Sequence, residues 1–184
     1  MAEYYKCEKC DTFVKIIDRG KGSLTCCGTP MALVDEFKTP DDVLDFAIVK
    51  EQEAHDFYLY WSQKIDVKWI QEVFKVFANE EMKHKELLLK AKQGEMLKKS
   101  STSVTDLKIV DYLVDISPTP DMDYQHALIV AMKREKASFK LYSDLVRMTS
   151  DMGVAETLQA LAQEEARHKL KLETLYDEEV LIWE

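Results

Sequence analysis

Two tetrapeptides, Glu81-Met-Lys-His84 and Glu165-Ala-Arg-His168, place a carboxylate and an imidazole three residues apart. On a helix that spacing brings both side chains to one face. Carboxylate with imidazole is a ligand pair for a divalent transition metal. The two motifs are offset by 84 residues, and the same offset aligns Ala47 with Ala131, Glu51 with Glu135, Tyr58 with Tyr142, Glu80 with Glu164 and Leu88 with Leu172. Glu51 shares a helical stripe with Ala47, Ala54 and Tyr58, and Glu135 shares one with Ala131, Ser138 and Tyr142. A carboxylate buried on an apolar stripe is costly without a partner. Two cations between the helices would supply that partner. Glu51, Glu81, Glu135 and Glu165 with His84 and His168 form the ligand set of a dinuclear carboxylate bundle, and such mixed oxygen and imidazole donors suit Fe(II) or Mn(II). One Glu-x-x-His on a charged helix reads as a solvated face. Two in register with two further glutamates read as a metal site.

The remaining polar residues sort by the same offset. His55 and His126 face Phe139 and Asp42 in the repeat, so neither belongs to the paired set. His126 reads as a surface histidine and His55 as a packing neighbour of the site, one turn beyond Glu51. Glu80 and Glu164 repeat, yet lie about 100° from the ligand stripe and are expected to face solvent or an interface. Tyr58 and Tyr142 lie seven residues past Glu51 and Glu135, nearly in line with them, where they would support ligand carboxylates or pack in the core.

A second constellation lies near the N-terminus: Cys7-Glu-Lys-Cys10, then Cys26-Cys27. Four thiolates at this spacing make a tetrahedral sulfur site for zinc or a single iron. Adjacent Cys26 and Cys27 replace the usual second chelating loop and must distort that half of the site.

These ligands need elements to hold them. Tyr4, Tyr5, Phe13, Val14, Ile16 and Ile17, a turn at Gly20 to Gly22, and Leu24 and Thr25 predict a small β-rich unit. Thr39-Pro40 is a helix start, and the apolar spacing predicts helices over 41–64, 67–93, 122–148 and 152–177, with Asp66, Asp121 and Asp151 as caps and Gly94 as a stop. The connection between the second and third helices is nearly thirty residues, with a short helix expected over 105–115. Four long helices with one crossover imply a mainly α, four-helix bundle.

Composition excludes other classes. With 46% hydrophobic and 32% charged residues the chain folds into a globule, and its net charge of -9 argues against nucleic acid and anionic membranes. The longest uninterrupted apolar run, Ala127 to Met132, is far too short to span a bilayer. No basic segment leads into an apolar one at the N-terminus, so the expected location is cytoplasmic. There, cysteines serve metals more readily than disulfides.

Tyr5-Lys6-Cys7-Glu8-Lys9-Cys10, Gly20 to Gly28 and Pro30-Met31 resemble desulforedoxin and the N-terminal domain of desulfoferrodoxins. That resemblance implies a mononuclear Fe(Cys)4 centre, held by Cys7, Cys10, Cys26 and Cys27, that carries one electron. Nothing after residue 36 matches the histidine-rich superoxide-reducing domain of desulfoferrodoxins, which disfavours that activity. Residues 41 to 180 resemble the rubrerythrin branch of the ferritin-like superfamily through Glu51, Ala54, Phe57 and Tyr58, then Glu81 and His84, Glu135 and Tyr142, and Glu165 and His168. The combination resembles the desulforubrerythrins without their C-terminal rubredoxin domain. Rubrerythrins proper carry one more glutamate a turn after the third-helix ligand, where this chain has Ser138. The dinuclear site is thus the symmetrical type.

The expected organisation is a small, β-rich, desulforedoxin-like domain with four cysteine ligands over 1–36 and a ferritin-like bundle over 40–184. The implied activity is that of an oxidoreductase: a non-haem di-iron peroxidase converting hydrogen peroxide to water, with the Fe(Cys)4 centre relaying electrons. Zinc or manganese are possible substitutes for iron. The implied electron donor is an NAD(P)H-linked reductase or a rubredoxin-type protein. Because the link over 36–39 is short, a head-to-tail homodimer, or a higher homo-oligomer, would bring one chain's cysteines to another's bundle. Ferritin-type ferroxidase activity is the alternative, with oxygen or nitric oxide scavenging as variants at the same site.

Overall fold

The computed structural model describes residues 3–7, 13–16, 22–33, 37, 39–97, 104, 108–109, 113 and 116–179. Three antiparallel strands in the order β2-β1-β5 (Phe13–Ile16, Glu3–Lys6, Ala32–Leu33) make one small sheet. A hairpin, β3 (Thr25–Cys26) with β4 (Thr29–Pro30), makes the other. Cys27 and Gly28 are the two loop residues of that hairpin, at φ +50° and +73°. Positive φ at both positions is the signature of a type I′ turn, whose twist matches the strands it joins. The turn at Gly20 to Gly22 lies mostly outside the described residues.

Four helices follow: α1 (Pro40–Lys64), α2 (Lys68–Lys92), α3 (Tyr124–Val146) and α4 (Met152–Glu179). Each of the first two is 25 residues long, or about 37 Å. A reciprocal capping box opens α1: Thr39 accepts from the Asp42 amide and Asp42 accepts from the Thr39 amide. Gly94 closes α2 at φ +90°. Its N–H bonds the Ala91 carbonyl and the next N–H bonds Lys90, a Schellman motif that only a residue tolerant of the left-handed region allows.

Two of the expected caps are displaced. At α2 the cap position is Val67, without a side-chain bond, and the Asp66 backbone N–H donates to the Pro120 carbonyl, fastening the crossover to the helix start. At α3 it is Asp123, not Asp121, that accepts from the His126 amide, and the helix begins two residues later than the apolar spacing predicts. Asp151 caps α4 as expected, accepting from Val154. Of the short helix expected over 105–115, only 108–109 and 113 are described.

Helices α1 and α2 form one hairpin and α3 and α4 the other, joined by the long segment 93–123. The core is in two clusters. One contains Tyr58, Phe74, Phe77, Ile129, Met132 and Leu172, and the other contains Leu44, Phe46, Leu88, Tyr142, Leu158 and Leu161. Among the described residues no helix is long and apolar enough to cross a membrane. The fold is mainly helical and ferritin-like, with a small strand region carrying a cysteine cluster.

Candidate metal centres

Glu51 on α1, Glu81 and His84 on α2, Glu135 on α3 and Glu165 on α4 are each at most 4% exposed. Their burial follows from the stripes: Ala47, Ala54 and Tyr58 bracket Glu51 on the inward face of α1, and Ala131 and Tyr142 bracket Glu135 on α3. His84 Nδ1 lies 2.8 Å from Glu165 Oε1, 3.5 Å from Glu81 Oε2 and 3.6 Å from Glu51 Oε2. His168 Nδ1 lies 3.2 Å from Glu135 Oε2, and the two imidazoles stack with centroids 5.5 Å apart. Ligand atoms of Glu51, Glu81, His84 and Glu165 all fall within 4.8 Å of one another, as do those of His84, Glu165 and His168.

These distances crowd four carboxylates without satisfying them. Glu51 Oε2, Glu81 Oε2, His84 Nδ1 and both Glu165 oxygens are buried with no hydrogen-bond partner among the described residues. Each such atom costs about 1–3 kcal/mol. Protons relieve part of the repulsion: burial, and after it the charges on Glu135 and Glu51, push the Glu81 carboxyl well above the usual range. Burial and the Glu135 charge do the same to Glu165. At His84 burial disfavours the imidazolium, but the carboxylates of Glu165, Glu51 and Glu81 outweigh it and raise its pKa. Burial likewise opposes ionisation of Glu135, where His168 and the surrounding hydrogen bonds prevail and hold it low. Orphaned carboxylate and imidazole atoms converging on one point are what a pair of divalent cations would satisfy, so the donor set fits the dinuclear iron group.

Both tyrosines cross the bundle. Tyr58 donates to Glu135 Oε1 at 2.6 Å, and Tyr142 donates to Glu51 Oε1. His55 stays outside the cluster, its Nδ1 2.7 Å from the Ala78 carbonyl, and His126 is at the surface beside Asp123. Glu80 and Glu164 pair with Lys83 and Arg167, but they also line a cavity of about 310 Å³ between α2 and α4, which reaches His84 and His168. The sequence reading did not single out Arg134, whose guanidinium lies 3.8 Å over the Phe57 ring and 5.5 Å from that of Tyr58. The signal was there: Arg134 precedes Glu135 as Lys50 precedes Glu51.

In the strand region the Sγ atoms of Cys7, Cys26 and Cys27 lie within 4.8 Å of one another. Cys10 falls outside the described residues. Cys7 is buried and Cys27 exposed, and the Sγ atoms of Cys26 and Cys27 are 3.8 Å apart. The I′ turn is how adjacent cysteines serve one point: at φ +50° Cys27 folds back over the strand that carries Cys26.

Residues 42–176 match the protein-family model for rubrerythrin. The chain belongs to the rubrerythrin family. Residues 1–34 match the model for the N-terminal domain of desulfoferrodoxin. A desulfoferrodoxin homolog of Archaeoglobus fulgidus is 38% identical over 58 residues, 31% of this chain and 46% of its own length. A desulfoferrodoxin of Syntrophotalea carbinolica is 50% identical over 34 residues, 18% of this chain and 27% of its own. The rubrerythrin-family chain thus spans less than half the length of these curated relatives.

Two solved structures share its fold. A protein of Thermotoga maritima described as a ferritin-like diiron-carboxylate protein aligns with a TM-score of 0.53 at 22% identity, over 78% of this chain and 98% of that one. A hypothetical protein from Pyrococcus furiosus aligns with a TM-score of 0.51 at 24% identity, over 80% and 93%. The two family matches support a non-haem iron redox protein, and the cysteine and carboxylate-histidine clusters fit iron centres.

Proposed function

We propose that this rubrerythrin-family member is a non-haem di-iron peroxidase that reduces hydrogen peroxide to water. Residues 40–184 form the di-iron domain, and residues 1–36 form a four-cysteine iron domain that relays electrons to it. The observation that carries the reading is the convergence of buried, unsatisfied carboxylate and imidazole atoms in a chain that also gathers cysteines at a second site.

Glu51, Glu81, His84, Glu135, Glu165 and His168 would hold the iron pair, and Cys7, Cys10, Cys26 and Cys27 the single iron. When bound, these groups would supply redox chemistry: two electrons for the O–O bond at the carboxylate site, and one-electron transfer at the thiolate site. The chain's residues do the rest. Tyr58 and Tyr142 fix the orientations of Glu135 and Glu51. The protons taken up by the departing oxygens come from solvent. The cavity bounded by Glu80, Lys83, Gln163 and Glu164 leads a small oxidant from solvent to the two imidazoles.

Electrons would come from an NAD(P)H-linked reductase or a rubredoxin-type donor, in a homodimer or larger homo-oligomer within the cytoplasm. Anaerobic rapid mixing tests the reaction: peroxide oxidises the reduced iron-loaded protein faster than dioxygen does, and the opposite order overturns the proposal. Metal analysis with optical spectra tests the relay. The thiolate iron gives a red colour that bleaches with reductant, whereas a colourless zinc form removes it.

Ferroxidase activity of the ferritin type is the second reading, favoured by Ser138, which leaves the ligand set symmetrical. A storage shell requires a large multimer, so size-exclusion chromatography separates the two.

A further inference from the structure

The two hairpins repeat their ligands but not what surrounds their tyrosines. Around Tyr58 stand Phe57, Trp61, Phe74 and Phe77, and the 84-residue offset replaces them with Leu141, Leu145, Leu158 and Leu161 around Tyr142. On the Tyr58 side the rings form a continuous series. His168 meets Phe77 at 5.8 Å between centroids, and Phe77 stacks on Tyr58 at 5.2 Å. Tyr58 meets Phe57 at 5.5 Å, Phe57 meets Trp61 at 6.5 Å, and Trp61 meets Tyr60 edge-on at 5.3 Å. Tyr58 is fully buried, Trp61 half-buried and Tyr60 54% exposed. Phenol and indole are the readily oxidised rings among these side chains. Tyr58 and Trp61 are also neighbours three residues apart on one helix, so among the described residues oxidisable side chains run from the metal ligands to solvent on the Tyr58 side.

We infer that Tyr58, Trp61 and Tyr60 form a one-electron path that completes peroxide reduction when the metal site holds a single ferrous equivalent. The inference rests on the peroxide reading above. Peroxide needs two electrons and two protons to become two waters. A site with one ferrous ion supplies one electron, and the unfinished reaction would release hydroxyl radical. Tyr58 gives the second electron and passes its phenolic proton to Glu135 Oε1, 2.6 Å away. Both protons consumed at peroxide come from solvent. Trp61 then returns an electron to Tyr58, which recovers its proton from Glu135. Tyr60 in turn reduces Trp61 and releases its own proton to water. The net donor is Tyr60, at the surface, where a small thiol restores it by hydrogen-atom transfer. Tyr142, in a cluster with Phe46, Leu145, Leu158 and Leu161, meets no other tyrosine or tryptophan ring among the described residues.

The test uses the full chain with its cysteine site oxidised and Fe(II) added below saturation of the dinuclear site. The sample is mixed with peroxide, without reductant, and frozen. Electron paramagnetic resonance reads an organic radical that narrows on ring deuteration of tyrosine, and peptide mass mapping finds oxygen addition at Tyr60 and Trp61. Trp61→Phe loses the Tyr60 product and leaves the radical on Tyr58. Tyr60→Phe, at an exposed position, shifts the product to Trp61, and Trp69→Phe leaves the pattern unchanged. Hydroxyl-radical spin adducts without a protein radical overturn the path, as does Tyr60 oxidation that persists in Trp61→Phe. If fully loaded protein is oxidised by peroxide while the part-loaded sample forms no radical, only the path falls. If peroxide leaves fully reduced protein unoxidised, the peroxidase reading falls and takes the path with it.

Discussion

Tyr58, on α1, donates a 2.6 Å hydrogen bond to Glu135 Oε1 on α3, at a point where neither group touches solvent. A phenol is the right donor for such a place: burial, reinforced by the Glu135 charge, pushes its pKa well above 10, so it keeps the proton it shares. Tyr58→Phe removes the donor and leaves a buried carboxylate oxygen without it. We expect the metal-free protein to lose about 2 kcal/mol of stability, read as a lower urea midpoint at unchanged slope.

Glu165→Gln acts in the opposite direction on the metal-free protein. Glu165 is fully buried, with His84 Nδ1 2.8 Å from its Oε1 and Glu135 and Glu81 as like-charged neighbours. The amide carries no charge at any pH, so the metal-free variant melts higher than the parent on the alkaline side, where the parent carboxyl must give up its proton beside those neighbours, and the gap closes in acid. Metal titration shows the cost, because the variant binds less than the parent's full complement of Fe(II). A variant that melts no higher than the parent at alkaline pH would show that Glu165 meets no such repulsion.

The pH dependence carries a definite sign. Raised carboxyls such as Glu81 and Glu165 hold protons that the unfolded chain has released. Their contribution is fully present below the unfolded carboxyl pKa, about 4.3, and is lost as pH rises through the folded values. Glu135, held low, contributes above its unfolded value and loses that contribution only in more acidic solution. Metal must displace the protons on Glu81 and Glu165, so its binding strengthens as pH rises. Melting curves with and without metal between about pH 5 and 8 should therefore diverge, with the gap widest at the alkaline end.

Ser138 lines a cavity of about 260 Å³ between α1 and α3, with Lys50 and Arg134 on its walls. The rubrerythrin resemblance puts a glutamate at this place, where Arg134 stands on the wall and Lys50 is shared with Glu53. Ser138→Glu should speed oxidation by peroxide relative to dioxygen by about tenfold, the equivalent of ~1.4 kcal/mol of barrier. Stopped-flow mixing with each oxidant measures the ratio.

Much of this was legible because the chain states its chemistry twice. Glu81 and His84 are weak evidence until Glu165 and His168 repeat them at the offset that also matches Glu51 to Glu135. The structure then brings these six side chains together. The helix starts were less legible, since Asp121 and Asp123 both suit a cap and the choice depends on which side chain reaches the His126 amide. At α2 the helix starts one residue beyond the expected cap, at Val67, and the Asp66 N–H makes a long-range bond to Pro120 that no local pattern encodes. The split between aromatic and leucine surroundings was written in the sequence at the same offset. It carries meaning only once ring distances join Phe77, Tyr58, Phe57 and Trp61 into a series.

The crossover 93–123 joins two hairpins whose metal-ligand residues match at the 84-residue offset. Two identical hairpins facing each other about a twofold axis would assemble the same carboxylates and imidazoles, each half supplying one Glu and one Glu-x-x-His. A symmetric pair of that kind is bound to give both tyrosines the same neighbours. By tying the halves into one polypeptide, the crossover frees each to be edited alone, so Tyr58 can sit among aromatic rings where the matching positions about Tyr142 hold leucines. The covalent link thus permits difference between halves that are otherwise mirrored in their metal ligands.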